Sequence, residues 1–293
     1  MKNLIVNIFK TLFFFDLSLI IISLLPDLKT ENPALALLCK EGMGLAVILI
    51  LTVFFLLFVE KRKLRLYSKK GKFKSFMGGI GLGFMFPVVI GGVMWLLKLI
   101  KISGINKTEQ IYYYIAAVLL NAVAGELLIR GYLFRLYNKH YGLIFATLIS
   151  TALFVCMNSQ ILRYGKMYIA GIILLNVFLC LITDKAKGPI NIAARFIYTL
   201  LSGFGLGGSL FTEEYPVFFK ASSQGKRLLS GGEYGIEGSI ITVIIFAVIN
   251  IYILNKKYNL IQYLKKENLK NLALDIKYFL LRLKSLFRFR RIR

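Results

Sequence analysis

The sequence predicts an all-α membrane protein of about eight transmembrane helices, and three observations predict it. Hydrophobic residues make up 57% of the 293 residues and charged residues 18%, below the roughly 25% charge of a soluble domain. The mean hydropathy is +0.69. The apolar residues gather into runs near the ~20 residues that cross a bilayer core, at 11–25, 42–59, 76–100, 111–128, 143–158, 167–183, 189–208 and 239–254. Together these argue against a soluble enzyme, a disordered chain and a secreted disulfide scaffold.

Taken in order, the first run is interrupted by Lys10 and Asp16 and lacks a small-residue cleavage site after it, so it reads as a retained span. Pro26, Pro87 and Pro189 mark ends and kinks. In the third run Gly78, Gly79, Gly81, Gly83, Gly91 and Gly92 suit close helix packing in lipid, and Trp95 suits an interfacial anchor. His140, the single histidine, falls in a short loop after the fourth run and reads as solvated. Cys39, Cys156 and Cys180 have no paired spacing, which indicates neither a disulfide framework nor a zinc knuckle. Cys156 and Cys180 read as small core residues. The expected organisation is two N-terminal helices and a basic loop (1–75), a core of about six helices (76–254) and a basic tail (255–293).

Charge gives an orientation. There are 38 Lys and Arg against 14 Asp and Glu, a formal net charge of +24. Assigning loops alternately to two sides places 27 basic residues on the side of both termini and ten opposite, with Arg195 inside a span. The positive-inside rule then makes both termini cytoplasmic in a multi-pass protein of the cell membrane. The tail after Leu254 holds twelve basic residues and two acidic ones. Within it Leu269, Leu272, Ile276, Phe279, Leu280 and Leu283 recur at helical spacing, and Lys270, Lys277, Lys284 and Arg288 lie opposite. A basic amphipathic helix of this kind points to an anionic lipid surface, and not to nucleic acid.

Ionisable groups within spans cost at least a few kcal/mol and are functional candidates by default. Glu126 and Arg130 stand at i and i+4, on one helix face where each neutralises the other. Arg195 is the other charge inside a span, with Glu126 as its expected partner.

Four motifs carry a resemblance. The run Gly125-Glu126-Leu127-Leu128-Ile129-Arg130-Gly131 resembles the first motif of the CPBP family (CAAX proteases and bacteriocin-processing proteins, also called Abi), where two adjacent Glu precede Arg-Gly by three residues. Leu153-Phe154-Val155-Cys156-Met157-Asn158 is similar to the second, a Phe followed four residues later by His. Residues 183–197, around Gly188-Pro189-Ile190, are similar to the third, a His followed four residues later by Asn. Gly231-Gly232-Glu233-Tyr234-Gly235-Ile236-Glu237-Gly238 is similar to a glycine-rich loop before the last span. The resemblance covers about 76–254. It implies an eight-helix intramembrane metalloendopeptidase scaffold in which a Glu activates water beside His and Asn groups around a buried metal.

Set on those motifs, Gly125 stands where the first Glu is expected, Asn158 where the second-motif His is expected, and Ala193 and Ile197 where the third-motif His and Asn are expected. Only Glu126 and Arg130 keep the family's residues. Glycine, alanine and isoleucine side chains bind no metal, and a catalytic zinc needs about three protein ligands and an open position. The sequence therefore points to a pseudoprotease with no catalytic ligand set intact and no cofactor. It would act as a scaffold, regulator or immunity-type partner of a membrane or cell-envelope protein. Two alternatives stand beside it: an active metalloendopeptidase with a rearranged site, which would need zinc, and a transporter or lipid-handling protein, which would need a continuous polar cavity.

Overall fold

The computed structural model describes residues 2–26, 30, 32–61, 71–107, 110–158, 162–185, 188–206 and 217–258. The tail residues Lys270, Lys277, Lys284 and Arg288 lie outside the described residues. Residues up to Ala247 form one compact unit and those from Val248 a second, of which the final turns of the last helix are described.

The chain runs through α1 (Lys2–Ser23), α2 (Pro33–Phe54), α3 (Lys72–Leu96), β1 (Ile100–Ile105), α4 (Ile111–Glu126), α5 (Phe134–Tyr141), α6 (Leu143–Met157), α7 (Lys166–Lys185), α8 (Ile190–Thr199), β2 (Phe219–Ser223), α9 (Arg227–Ser230) and α10 (Ile240–Tyr258). Wider π-helical turns extend α2 over Phe55–Val59, join α4 to α5 over Leu127–Leu133 and extend α8 over Leu200–Gly205. Among the described residues six helical segments are long and apolar enough to cross a bilayer: Val6–Ser23, Pro33–Val59, Lys72–Leu96, Ile111–Tyr141, Lys166–Asp184 and Gly232–Lys256. Each of the eight expected apolar runs falls on a helix among the described residues, with 97–100 passing out of α3 into β1, but two of the helices are shorter: α6, and α8 with its extension. Both are too short to reach across the hydrocarbon by themselves, and α8 is buried on almost every side. His140 lies in the last turn of α5, exposed, and not in a loop.

Local chemistry sets the boundaries. Asn32 caps α2, its Oδ1 accepting from the amides of Ala34 at 3.1 Å and Leu35 at 3.4 Å, with Pro33 in the first turn, where its missing N–H is not needed. Pro87 sits inside α3, which runs on through it. The glycines of α3 do separate jobs. A Cβ on Gly79 would strike the carbonyl of Ile190, and one on Gly83 would strike that of Ala194, whereas Gly81 and Gly92 have open space around them. Gly79 and Gly83 therefore form the small-residue stripe against which α8 lies. Trp95 is exposed at the far end of α3, as an interfacial anchor requires.

Between the helices the chain also forms an antiparallel pair, β1–β2, of which the apolar runs gave no sign. Ile100 pairs with Ser223, Lys101 with Ser222 and Ile102 with Ala221, followed by a bulge before Ile105 and Phe219. Cys180 is buried as expected, but Cys156 is exposed, because the outer face of α6 carries it away from the core. One packed core joins α1, α2 and the π segment through Phe14, Phe55 and Tyr132, whose rings meet edge-on with centroids 4.7 to 6.0 Å apart.

Candidate functional site

Glu126 ends α4, and Arg130 follows one turn later inside the π segment. Both are fully buried. The i, i+4 spacing brings Arg130 Nη1 onto Glu126 Oε1, where it donates a hydrogen bond within an ion pair. The other arm of that guanidinium reaches α7, donating to the Asn176 backbone oxygen at 3.2 Å and to Asn176 Oδ1. Asn176 Nδ2 in turn donates to Thr151 Oγ1 of α6 at 2.8 Å. Asn176 was not among the residues singled out in the sequence. Its signal was that of Glu126 itself, a polar group in the middle of an apolar run.

On the opposite side, α8 supplies two more groups. Asn191 Nδ2 donates to Glu126 Oε2 at 2.6 Å, and Arg195 Nη1 lies 3.5 Å from Glu126 Oε1. The Arg195 guanidinium also stands over the Phe154 ring, 5.4 Å from its centroid. The expected Arg195–Glu126 partnership is present. The expected positions on α8 are not. Ala193 and Ile197 turn to α3, where their Cβ atoms abut Gly79 and Gly83. The i, i+4 pair that faces Glu126 is Asn191 and Arg195. A helix turns 100° per residue, so the two-residue offset in register rotates the assigned pair by about 200°, to the far side of α8.

Gly125 and Arg195 share one volume. A Cβ built on Gly125 would lie 3.0 Å from Arg195 Cζ and 3.1 Å from Nη2, with Nη1 closer still. The guanidinium occupies the space that a side chain at position 125 would fill. Asn158 caps α6, its Nδ2 donating to the Phe154 carbonyl at 2.9 Å. Asn158, Gly125 and Arg195 line a cavity of about 250 Å³ together with Lys40, Glu41 and Gly44 of α2. Of the six positions expected at the site, the structure gathers Gly125, Glu126, Arg130 and Asn158 and leaves Ala193 and Ile197 in the α3–α8 seam.

A second buried carboxylate lies apart from this cluster. Glu237, in the glycine-rich loop, accepts from Ser202 Oγ at 2.9 Å. The loop's glycines serve its backbone: Gly231 and Gly235 have φ of +77° and +58°, a region that side chains other than glycine's rarely tolerate.

The donor set around Glu126 does not fit a divalent metal. Its Oε1 is held by Arg130 and approached by Arg195, and its Oε2 by Asn191. Among the described residues no three His, Cys, Asp or Glu side chains converge. Two guanidinium groups beside one carboxylate repel a dication and already neutralise the oxygen ligand. What the arrangement can do is hold α4, α7 and α8 together by charge, and present a cation at the edge of a cavity.

Residues 107–211 match the family model described as "Type II CAAX prenyl endopeptidase Rce1-like". No curated protein and no solved structure matches the chain. The matched segment holds Glu126, Arg130, Asn158, Asn176, Asn191 and Arg195, and it agrees with the CPBP resemblance of the motifs. The first three helices and the glycine-rich loop fall outside it.

Proposed function

We propose that this multi-pass membrane protein, whose residues 107–211 form an Rce1-like domain, is a catalytically silent member of its protease group that works by holding a partner in the bilayer. The role is that of a scaffold, regulator or immunity-type partner of a membrane or cell-envelope protein. The observation that carries the reading is the exchange at Glu126. Where the resemblance implies a second Glu and a metal, the chain has Gly125 and the guanidinium of Arg195 in the same space. A water-activating carboxylate must accept a proton in the reaction. Both Glu126 oxygens are already engaged, Oε1 by Arg130 with Arg195 beside it and Oε2 by the Asn191 amide.

The charge asymmetry of the loops favours cytoplasmic termini, and the basic composition of the tail favours contact with anionic lipid. The test is purified protein in lipid nanodiscs, assayed for bound zinc by mass spectrometry and for cleavage of a prenylated CAAX peptide. Substoichiometric zinc and no chelator-sensitive cleavage are expected. One zinc per chain with cleavage abolished by chelator overturns the reading. Crosslinking in native membranes then identifies the partner.

A further inference from the structure

We infer that the cavity beside Arg195 binds the carboxylate head of a fatty-acid-type amphiphile. The inference rests on the reading that no dication occupies the Glu126 site. Two guanidinium groups face one carboxylate there, which leaves an excess of one positive charge. Lys40 and Glu41, which line the same cavity, offset each other. Arg195 is about nineteen-twentieths buried, at 5% exposure. Its Nη1 makes no full hydrogen bond, and its contact with Glu126 Oε1 is an ion pair at 3.5 Å. A buried N–H left without an acceptor is costly, and a small rotation of the Arg195 side chain toward the cavity it lines would let an oxyanion there supply one. One negative charge matches the excess, whereas a phosphate dianion would exceed it. A planar carboxylate is also the shape that a guanidinium grips with two parallel hydrogen bonds.

The rest of the wall selects the tail. Leu19, Ile48, Leu128 and Met157 are apolar, and the cavity of about 250 Å³ holds a head group with its first methylenes. Every lining residue but Asn158 is helical, and the Asn158 amide donates to the Phe154 carbonyl at 3.2 Å, so these backbone amides are already paired and none is free to register a peptide. That favours an acyl chain over the C-terminus of a polypeptide, which shares the same carboxylate.

The test titrates full-length protein in neutral maltoside detergent with dodecanoate, dodecanol and two apolar peptides, one ending in a free carboxylate and one amidated. Binding is read by native mass spectrometry and by the shift in melting temperature. Dodecanoate should bind at least about tenfold more tightly than dodecanol, the factor expected for a hydrogen bond to a charged group. Arg195→Gln should remove that preference. Because this variant also alters the ion cluster, a second one plugs the cavity from its far wall. Gly44 lines the cavity and a Cβ there meets nothing within 4 Å, so Gly44→Leu should keep the melting temperature of the free protein and lose dodecanoate. Equal binding of dodecanoate and dodecanol overturns the inference, as does full dodecanoate binding by Gly44→Leu. Binding of the free-acid peptide without dodecanoate overturns it in favour of a polypeptide ligand. Zinc and peptidase assays are read separately, so either proposal can fail while the other stands.

Discussion

Exchanging Glu126 for Gln keeps the shape of the side chain and removes its charge. In the native cluster that charge faces Arg130, in contact, and Arg195 at 3.5 Å, and it also accepts from Asn191 at 2.6 Å. At an effective dielectric near 20 the Arg195 pair alone is worth roughly 5 kcal/mol of Coulomb energy before desolvation is subtracted. Removing one partner of a buried pair leaves the others unpaired, with a net loss of about 3–5 kcal/mol. Here two guanidinium groups lose the carboxylate they share, so the Glu126→Gln variant should sit in that range. At about 2–4 °C per kcal/mol for a chain of this order of size, the melting temperature in detergent should fall by about 6–20 °C. A second change decides the cause: Arg195→Gln in the Glu126→Gln background removes the stranded cation and should recover part of the loss, with a coupling of at least about 1 kcal/mol. Fluorescence-detected thermal melting of the four proteins reads it. A carboxylate kept for catalysis behaves in the opposite way, since active-site groups are often held at the expense of stability. An unchanged or raised melting temperature, or strictly additive losses, would refute the structural role given to Glu126.

Three further outcomes follow from the same geometry. Gly125→Glu restores the residue that the motif resemblance expects, but its side chain must enter the Arg195 guanidinium volume; it should lower the melting temperature and bring no chelator-sensitive cleavage, and a gain of such cleavage would show the scaffold to be one residue from activity. Gly83→Leu should cost about 1–3 kcal/mol by overpacking the α3–α8 seam, while Gly81→Leu, with open space around it, should melt with the native protein; equal melting of both variants would remove the stripe from the account. A soluble carrier bearing residues 255–293 should bind vesicles containing anionic lipid, and reversing Lys270, Lys277, Lys284 and Arg288 to Glu should weaken it by about 1 kcal/mol per residue. Indifference of the native tail to lipid charge would dismiss the surface role.

The i, i+4 spacing of Glu126 and Arg130 was legible because a helix makes that pairing local, and Arg195 was legible as a charge with nowhere else to go in an apolar run. Asn191 and Arg195 as a facing pair were not, since motif alignment fixes a register by sequence while the face is fixed by how α8 lies on Gly79 and Gly83. Asn176 needed the fold to bring α7 across to Arg130, 46 residues away. The helices themselves were readable from hydropathy, but not their lengths: α8 is shielded by neighbours and need not match the bilayer thickness, and α6 stops short of it although its outer face is exposed. The β1–β2 pair joins residues more than a hundred positions apart, and short alternating stretches such as Ile100–Ile105 carry little local signal.

The glycine seam and the small sheet act on the same helix. α3 is pressed to α8 through Gly79 and Gly83, and the strand that follows α3 is laced to β2, downstream of α8. A helix fastened at its middle and just past its end is a poor shutter. Traffic between the bilayer and the interior should therefore pass on the other flank, where Leu19 of α1 and Gly44 of α2 border the cavity, and a crosslink stitching α1 to α2 would slow exchange where one across α3 and α8 would not.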